Sequence, residues 1–597
     1  MIAILAVAAV TVGTVGLGAI GTRIARTTSD LLVASRAMTP WWNAAAISGE
    51  YLSAASFLGI AGLEMQNGTT ALWQSLGFTA GYLALLLFVA APLRRFGSYT
   101  ISDFAEARLR SPRLRGLASA TVLLIAGFYL VPQLKGAGLT LNVVTGAPYF
   151  VGVLLVGLVV AVNVGLGGMR GITYVQAFQF WLKVFAIALP ACLLLIHLGG
   201  LPARAALFGD EYPRAGAHGL VVQIPAPQPV TFPAATPYTI LVSSHGAVTA
   251  RTFHAFAGEL TTLPTGRLRL PADADVPVSS GTTALPGRDW ARPVGGSGER
   301  SPVFVYSLLI ATFLGTMGLP HILVRFYTNP DGPAARHTTV RVLGLLGVFY
   351  LFPGIYGALG RVLAPQLYVT GATDTVVLRL PEAAWPGTVG NVLGAITAAG
   401  AFAAFLSTSS GLLVSIAGTI SHDVWPRISR ERTTTGRVRR LRFRLAAVLG
   451  MVVPISVAFF AQGVDIAVLV GWAFALAAST FCPLFLLGIW WTRLTAPGAA
   501  TGMVAGALVA TSGIIVGLVL GEPGGVGGAL LAQPAIVSVP IAFLTMIVVS
   551  LRAAERGSPP DAEMLALHAP EGLDLPETGV RDPFVLGESA TRPRFRE

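Results

Sequence analysis

Residues 43–64 read NAAAISGEYLSAASFLGIAGLE. The run is long and apolar enough to cross a bilayer, yet Gly49, Glu50, Tyr51, Ser53, Ser56 and Gly59 fall in its middle. A lipid-facing helix cannot leave backbone groups unpaired, so an interrupted span is tolerated only where it is buried in protein or lines a cavity. A carboxylate at mid-span costs about 2.5–3.5 kcal/mol or more on insertion scales. Glu50 is therefore a functional candidate facing the bundle interior. The competing reading is a structural acid paired to an arginine.

A second run, IATFLGTMGLPHILVRF (310–326), is interrupted by Gly315, Gly318 and Pro320. Candidate spans lie at about 2–22, 43–64, 71–91, 116–136, 148–167, 175–197, 303–323, 342–360, 389–419, 445–462, 465–490, 499–520 and 532–551. The two interrupted runs are the second and seventh of these thirteen. Broken helices at corresponding positions of two halves are the pattern of an inverted five-plus-five repeat, with the site between them at mid-membrane. The breaks alone carry this inference, since the halves show no visible sequence similarity.

Composition agrees with an all-α polytopic membrane protein. Of 597 residues, 54% are hydrophobic and 11% charged, against about 25% charged in a soluble domain. The short alternating segments of a membrane β-barrel are absent. The net charge of +12 does not point to nucleic acid, because the arginines cluster in short loops between apolar runs. The loops after the first, third, seventh and ninth spans carry Arg23, Arg26 and Arg36; RRFGSYTISDFAEARLRSPRLR (94–115); Arg325, Arg336 and Arg341; and RISRERTTTGRVRRLRFR (427–444). All four fall on one side if thirteen helices alternate, and excess Lys and Arg mark the cytoplasm. The chain is thus expected in the cell membrane, with its N-terminus outside and its C-terminus cytoplasmic. The first apolar run, with no basic residue before it, reads as a retained span rather than a signal peptide.

The expected organisation is an N-terminal span plus first repeat (1–200), an extracellular insertion (201–302), a second repeat (303–490), two further helices (491–551) and a polar, disordered tail (552–597). In the insertion, LVVQIPAPQPVTFP and YTILVSSHGAVTARTF suit short strands. It reads either as a loosely ordered surface domain or as a cap over the access route. Cys192 and Cys482 lie in apolar runs, far from any ligand cluster, so neither a disulfide framework nor a structural metal is expected. Motifs for nucleotide binding or hydrolysis (GxxxxGK[ST], HExxH, GxSxG) are absent, which argues against an ATP-driven pump and an enzyme.

FLSTSSGLLVSI (405–416) places five hydroxyls inside the ninth span. Ala404, Ser407, Thr408, Gly411, Ser415 and Gly418 share one small, partly polar helix face. One reading is close packing, with hydroxyls bonded back to carbonyls. The other is a cation site, since hydroxyl and carbonyl oxygens are hard neutral ligands.

Seven stretches together resemble the sodium/solute symporters, and within them the bacterial cation/acetate symporters. They are SGEYLSAASFLGIAG (48–62), RRFGSYTISDFAEARL (94–109), FYLVPQLKGAG (128–138), GGMRGITYVQ (167–176), GTMGLPHILVRFYT (315–328), LSTSSGLLVSIAGTISHDVW (406–425) and ASTFCPLFLLGIWWTRLTAPGA (478–499). The resemblance implies a LeuT-like ten-helix core, preceded by one helix and followed by two. It implies symport of a small monocarboxylate (acetate, propionate or pyruvate) with Na+, or alternatively with H+, or Na+ symport of another small solute such as proline or a sugar. No cofactor is implied beyond the transported cation. By the same resemblance, Ser407 and Thr408, the carbonyl of Ala404 and those of Gly49 and Leu52 hold the cation. Tyr51, Ser53, Ser56, Tyr129, Gln133, Thr316 and Gly318 are the substrate candidates. Arg36 is implied at the cytoplasmic gate and Glu50 in coupling. Lys183, a further intramembrane charge, either snorkels to the cytoplasmic edge or joins Glu50. No buried arginine is expected to pair with a substrate carboxylate. The long insertion is a departure from the acetate branch.

Overall fold

The computed structural model describes residues 2–24, 34, 38–98, 100–199, 207–244, 247–295, 300–429, 436–520, 525–553 and 561–569. Among them, eleven helical stretches are long and apolar enough to cross a membrane. Three of these, two of 42 residues and one of 49, would run about 63 to 73 Å if straight, at 1.5 Å per residue, twice the ~30 Å hydrocarbon core. Two of the three, Ala55–Phe96 and Tyr149–His197, are divided by a glycine. Gly68 (φ 66°) opens the 3₁₀ turn Gly68–Ala71, and Gly168 (φ 56°) interrupts Tyr149–His197. A side chain is disfavoured at such φ values. Counted as two crossings each, these two stretches recover the thirteen expected spans.

The centre is framed by α1 (Pro40–Tyr51), α2 (Ile60–Asn67), α3 (Pro112–Thr145), α4 (Tyr149–His197) and the pair α5 (Pro302–Thr316) and α6 (Pro320–Phe326). Also framing it are α7 (Gly332–Phe349), α8 (Thr388–Gly418) and α9 (Ile466–Trp490). The wide π-helical turn Ala55–Gly59 links α1 to α2. Local chemistry sets several helix starts. Ser111 accepts from the Leu114 amide (3.3 Å) ahead of Pro112, and Ser301 accepts from Phe304 (3.2 Å) ahead of Pro302. Such serines satisfy amides that a helix start leaves unpaired, and proline is tolerated at the first helical position. α8 packs against α4, α3 and α1 and is buried along most of its length.

The insertion is ordered into two small sheets. The first has the strand order β1-β6-β3-β4 and the second β5-β2-β7. The strands are β1 (Leu220–Ile224), β2 (Gln228–Thr231), β3 (Thr236–Ser244), β4 (Ala247–Ala255), β5 (Leu260–Leu263), β6 (Gly266–Leu270) and β7 (Val278–Ser279). The insertion docks on one end of the bundle. Trp290 Nε1 donates to the Glu64 carbonyl (2.8 Å), the Thr283 amide donates to Gln66 Oε1 (3.1 Å), and Arg361 donates to the Glu211 carbonyl (3.0 Å).

Within the tail, the described residues 561–569 differ from the disorder expected of them. Helix α10 (Asp561–His568) docks on the bundle. Leu567 is buried, His568 Nε2 lies 2.8 Å from the Ile489 carbonyl, and Arg108 lies 3.1 Å from Met564 Sδ. A single short segment, DAEMLALHA, inside a polar tail is too brief a pattern to read as a docked helix. Arg115 joins Asp423 (2.6 Å), Asp103 (2.8 Å) and Glu106 (2.8 Å). Burial alone would push the Asp103 carboxyl up, but His422, Arg115 and the Thr100 amide together hold it down to about 2.

Candidate functional site

The chain leaves the α-helix at Leu52 (ψ 87°) and resumes at Ala54. Buried backbone groups need partners, and here side chains from three other helices supply them. Ser407 Oγ donates toward the Gly49 carbonyl (2.7 Å) and the Ala404 carbonyl (3.1 Å). Thr408 Oγ1 donates to the Glu50 carbonyl (2.5 Å). Gln133 Oε1, from α3, accepts from the Ala54 amide (2.8 Å). Gly49 allows α1 and α4 to approach, since a Cβ there would meet the Gln176 carbonyl.

Of the five oxygens named as cation ligands, those of Gly49, Leu52 and Ser407 converge on Lys183, for which the sequence left open a snorkelling position or a place beside Glu50. Lys183 does not snorkel. It is fully buried, and its Nζ donates to the carbonyls of Gly49 and Leu52 (2.8 Å to Leu52) and to Ser407 Oγ (2.6 Å). The unpaired carbonyls of the break give the ammonium better acceptors than a route to the membrane edge.

Glu50 has the partner of its structural reading. Arg325 is completely buried, and its Nε lies 2.6 Å from Glu50 Oε2. The guanidinium also donates to Thr173 Oγ1 (2.7 Å) and to Gln176 Oε1, while Gln176 Nε2 donates to the Ser407 carbonyl (2.7 Å). Arg325 is thus a buried arginine whose partner is Glu50 rather than a substrate carboxylate. Counted as a loop residue, Arg325 instead belongs to α6, the second half of the broken seventh span, which stays inside the bundle. Gly411 makes room for the acid, because a Cβ there would overlap the Glu50 carboxylate.

The substrate candidates gather on the other side of the break. Tyr51 Oη lies 2.8 Å from Thr316 Oγ1 and donates to the Phe78 carbonyl (3.1 Å). Ser56 Oγ lies 2.9 Å from Tyr350 Oη. Tyr129 packs edge-on to His321 (5.3 Å) and to Phe474 (5.8 Å), and Tyr51 packs edge-on to Tyr82 (4.8 Å). Ser53 is buried beside the break. Gly318 serves backbone packing, since a Cβ there would meet the Ala477 carbonyl of α9. Among the described residues, Gln133 Nε2, Tyr82 Oη and both ring nitrogens of His321 are buried without a hydrogen-bond partner. Arg36 lies outside the described residues. The sequence reading missed Tyr82, Thr173, Gln176, His321, Arg325 and Tyr350 as site residues. Four of these stand in the quoted motifs (167–176 and 315–328), whereas Tyr82 and Tyr350 carry no local signal.

A profile described as the sodium:solute symporter family matches residues 31–209 and 274–506. The gap between those ranges covers strands β1 to β6. The chain is 32% identical over 486 residues to an uncharacterized symporter, YwcA, of Bacillus subtilis (strain 168), covering 81% of this chain and 80% of that protein. Among solved structures, one similar fold is a Na+-coupled sialic acid symporter in its substrate-bound outward-open state. It has TM-score 0.65 and 13% identity, with 92% of this chain and 98% of that one covered. Another is Mhp1, a nucleobase-cation-symport-1 family transporter, in a closed conformation with bromovinylhydantoin bound. It has TM-score 0.52 and 13% identity, with 91% and 99% covered.

Proposed function

This chain belongs to the sodium:solute symporter family, and we propose that the solute it imports is a small monocarboxylate such as acetate, propionate or pyruvate. As a member it is a multi-pass membrane protein and a secondary transporter rather than an enzyme, with a solute and a cation as partners. One observation carries the substrate class. The break in the second span is bordered by buried hydrogen-bond donors with no internal partner, Gln133 Nε2, Tyr82 Oη and the one N–H of the His321 ring, among the aromatic rings of Tyr51, Phe78, Tyr129 and Phe474. Unspent donors favour an acceptor-only group, and a few placed polar groups in an aromatic surround fix a small ligand's orientation. A short apolar acid supplies both halves. Tyr51, Ser53, Ser56, Tyr129, Gln133 and Thr316 form the wall of this site, with Gly318 setting its distance from α9. Glu50 is already neutralised by Arg325 and does not repel an anion.

Solute and cation then stabilise the same arrangement of the broken helix, which is what couples them. The coupling cation is Na+ or H+, and the driving gradient decides between the two. In proteoliposomes, labelled acetate and pyruvate are expected to accumulate when a cation gradient is imposed, with sodium and proton gradients applied separately. Accumulation of neither acid under either gradient would reject the substrate class while leaving the family untouched.

A further inference from the structure

The oxygen cluster that the resemblance assigns to a sodium ion surrounds a cation of the chain's own. An ammonium has three donors and no acceptor. Lys183 Nζ meets three acceptors: the Gly49 carbonyl, the Leu52 carbonyl (2.8 Å) and Ser407 Oγ (2.6 Å). Ser407 spends its single hydrogen on the Gly49 or Ala404 carbonyl (2.7 and 3.1 Å), so toward Lys183 it acts as an acceptor. The three hydrogens of an ammonium match these three acceptors, whereas a neutral amine would match them only by taking the Ser407 hydrogen on its lone pair, away from the Gly49 and Ala404 carbonyls. No carboxylate belongs to the cluster. Glu50, the nearest in sequence, turns its carboxylate to Arg325 and Gln176. The shell is therefore neutral and holds one positive charge. A sodium ion bound by Gly49, Leu52 and Ser407 would sit on the position of Nζ, and the nearby Glu50 carboxylate is already paired with Arg325.

We propose that Lys183 is the resident cation of this site, a tethered primary ammonium standing where an alkali cation would bind. Uptake then needs no sodium at Gly49, Leu52, Ala404, Ser407 and Thr408. Lys183 also ties α4 to the last turn of α1, to the break itself at Leu52 and to α8, the junctions a coupling ion would bridge. The inference rests on the transporter reading but makes a binding statement that can be read separately.

The test uses the full chain, purified in detergent, with ²²Na+ as the probe in equilibrium binding. Wild type, Ser407→Ala, Lys183→Ala and the double variant are compared. The expected result is no Ser407-dependent ²²Na+ binding in the wild type. Saturable binding should appear in Lys183→Ala and fall at least tenfold when Ser407→Ala is added. Wild-type binding that survives Ser407→Ala unchanged lies elsewhere and leaves the proposal standing. Wild-type binding that Ser407→Ala abolishes would overturn it, because sodium would then displace Lys183. That pair needs no lysine variant, so it decides even if Lys183→Ala fails to fold. Uptake in sodium, potassium and choline media is the second readout. Equal rates support the proposal, and a strict sodium requirement lost in Ser407→Ala overturns it. Absence of uptake in every medium would reject the substrate class, with the binding arms still deciding the role of Lys183.

Discussion

The two broken spans solve one problem in opposite ways. At the first break, backbone groups of Gly49, Glu50, Leu52 and Ala54 are satisfied by Lys183, Ser407, Thr408 and Gln133, side chains from three other helices. At the second, the chain satisfies itself. The Met317 amide returns to Leu314 (3.1 Å), Gly318 to Gly315 (2.8 Å) and Leu323 to Leu319 (3.1 Å), while Pro320 has no amide hydrogen to place. Gly315 and Gly318 then press against the Phe474 and Ala477 carbonyls of α9. The second break is a packed joint. The first is held by hydrogen bonds that a ligand can compete for, so ligand occupancy is felt there. The two are joined by Thr316, which meets Tyr51, and by Arg325 of the second broken span, which pairs with Glu50 beside the first break.

Breaking that link should have the largest effect. Arg325→Ala leaves Glu50 buried and uncompensated, and removing one partner of a buried pair costs about 3–5 kcal/mol. The thermal midpoint in detergent should fall sharply, and adding Glu50→Gln should restore part of it. A double variant as unstable as the single would show that Arg325 acts through Thr173 and Gln176 instead. At the second break, Gly318→Ala forces a methyl onto the Ala477 carbonyl and should cost about 1–3 kcal/mol, the usual penalty for overpacking. Full stability would mean that α9 can retreat and that the joint is not rigid. At the first break, Thr408→Ala orphans the Glu50 carbonyl, a loss of about 1–2 kcal/mol. Its signature is local, with faster amide exchange confined to residues 49–54, whereas Gly318→Ala should speed exchange on both sides of the α9 contact. The same exchange pattern in both variants would erase the distinction between the breaks.

How much of this was legible in the sequence follows the range of the interactions. Both breaks were readable, because glycine and serine inside an apolar run, or Pro320, are local signals. The small face of α8 was readable from its spacing. The partner of that face was not. Lys183 lies 224 positions from Ser407, and a lone lysine in an apolar run reads either as a snorkelling residue or as a partner of Glu50. Arg325 was misplaced because counting positive charges beside a span cannot tell an arginine just outside the membrane from one that turns back into the bundle. In the insertion, alternation marked the first four strands, but not the order β1-β6-β3-β4, which pairs β1 with β6 across some forty residues. α10 was missed because its docking rests on a few contacts of Met564, Leu567 and His568 with distant parts of the chain.

The smallest expected effect concerns the far end of the first broken span. Gln66, near the end of α2, donates to Asp465 Oδ2 (3.2 Å) and to Thr373, and accepts from Thr283 of the insertion. Burial and the neighbouring Asp374 push the Asp465 carboxyl up to about 6, with Lys135 and Gln66 pulling it partly back. The folded chain thus holds a proton that the unfolded chain, with an ordinary value of 3.8, releases. That contribution to stability is fully present below about 3.8 and is lost as the pH rises through about 6. Asp465→Asn keeps an oxygen for Gln66 but cannot ionise. Between pH 4 and 7 the wild-type thermal midpoint should therefore fall relative to this variant. Parallel curves would show that Asp465 does not titrate in this range, and that the first span is governed at its break rather than at its outer end.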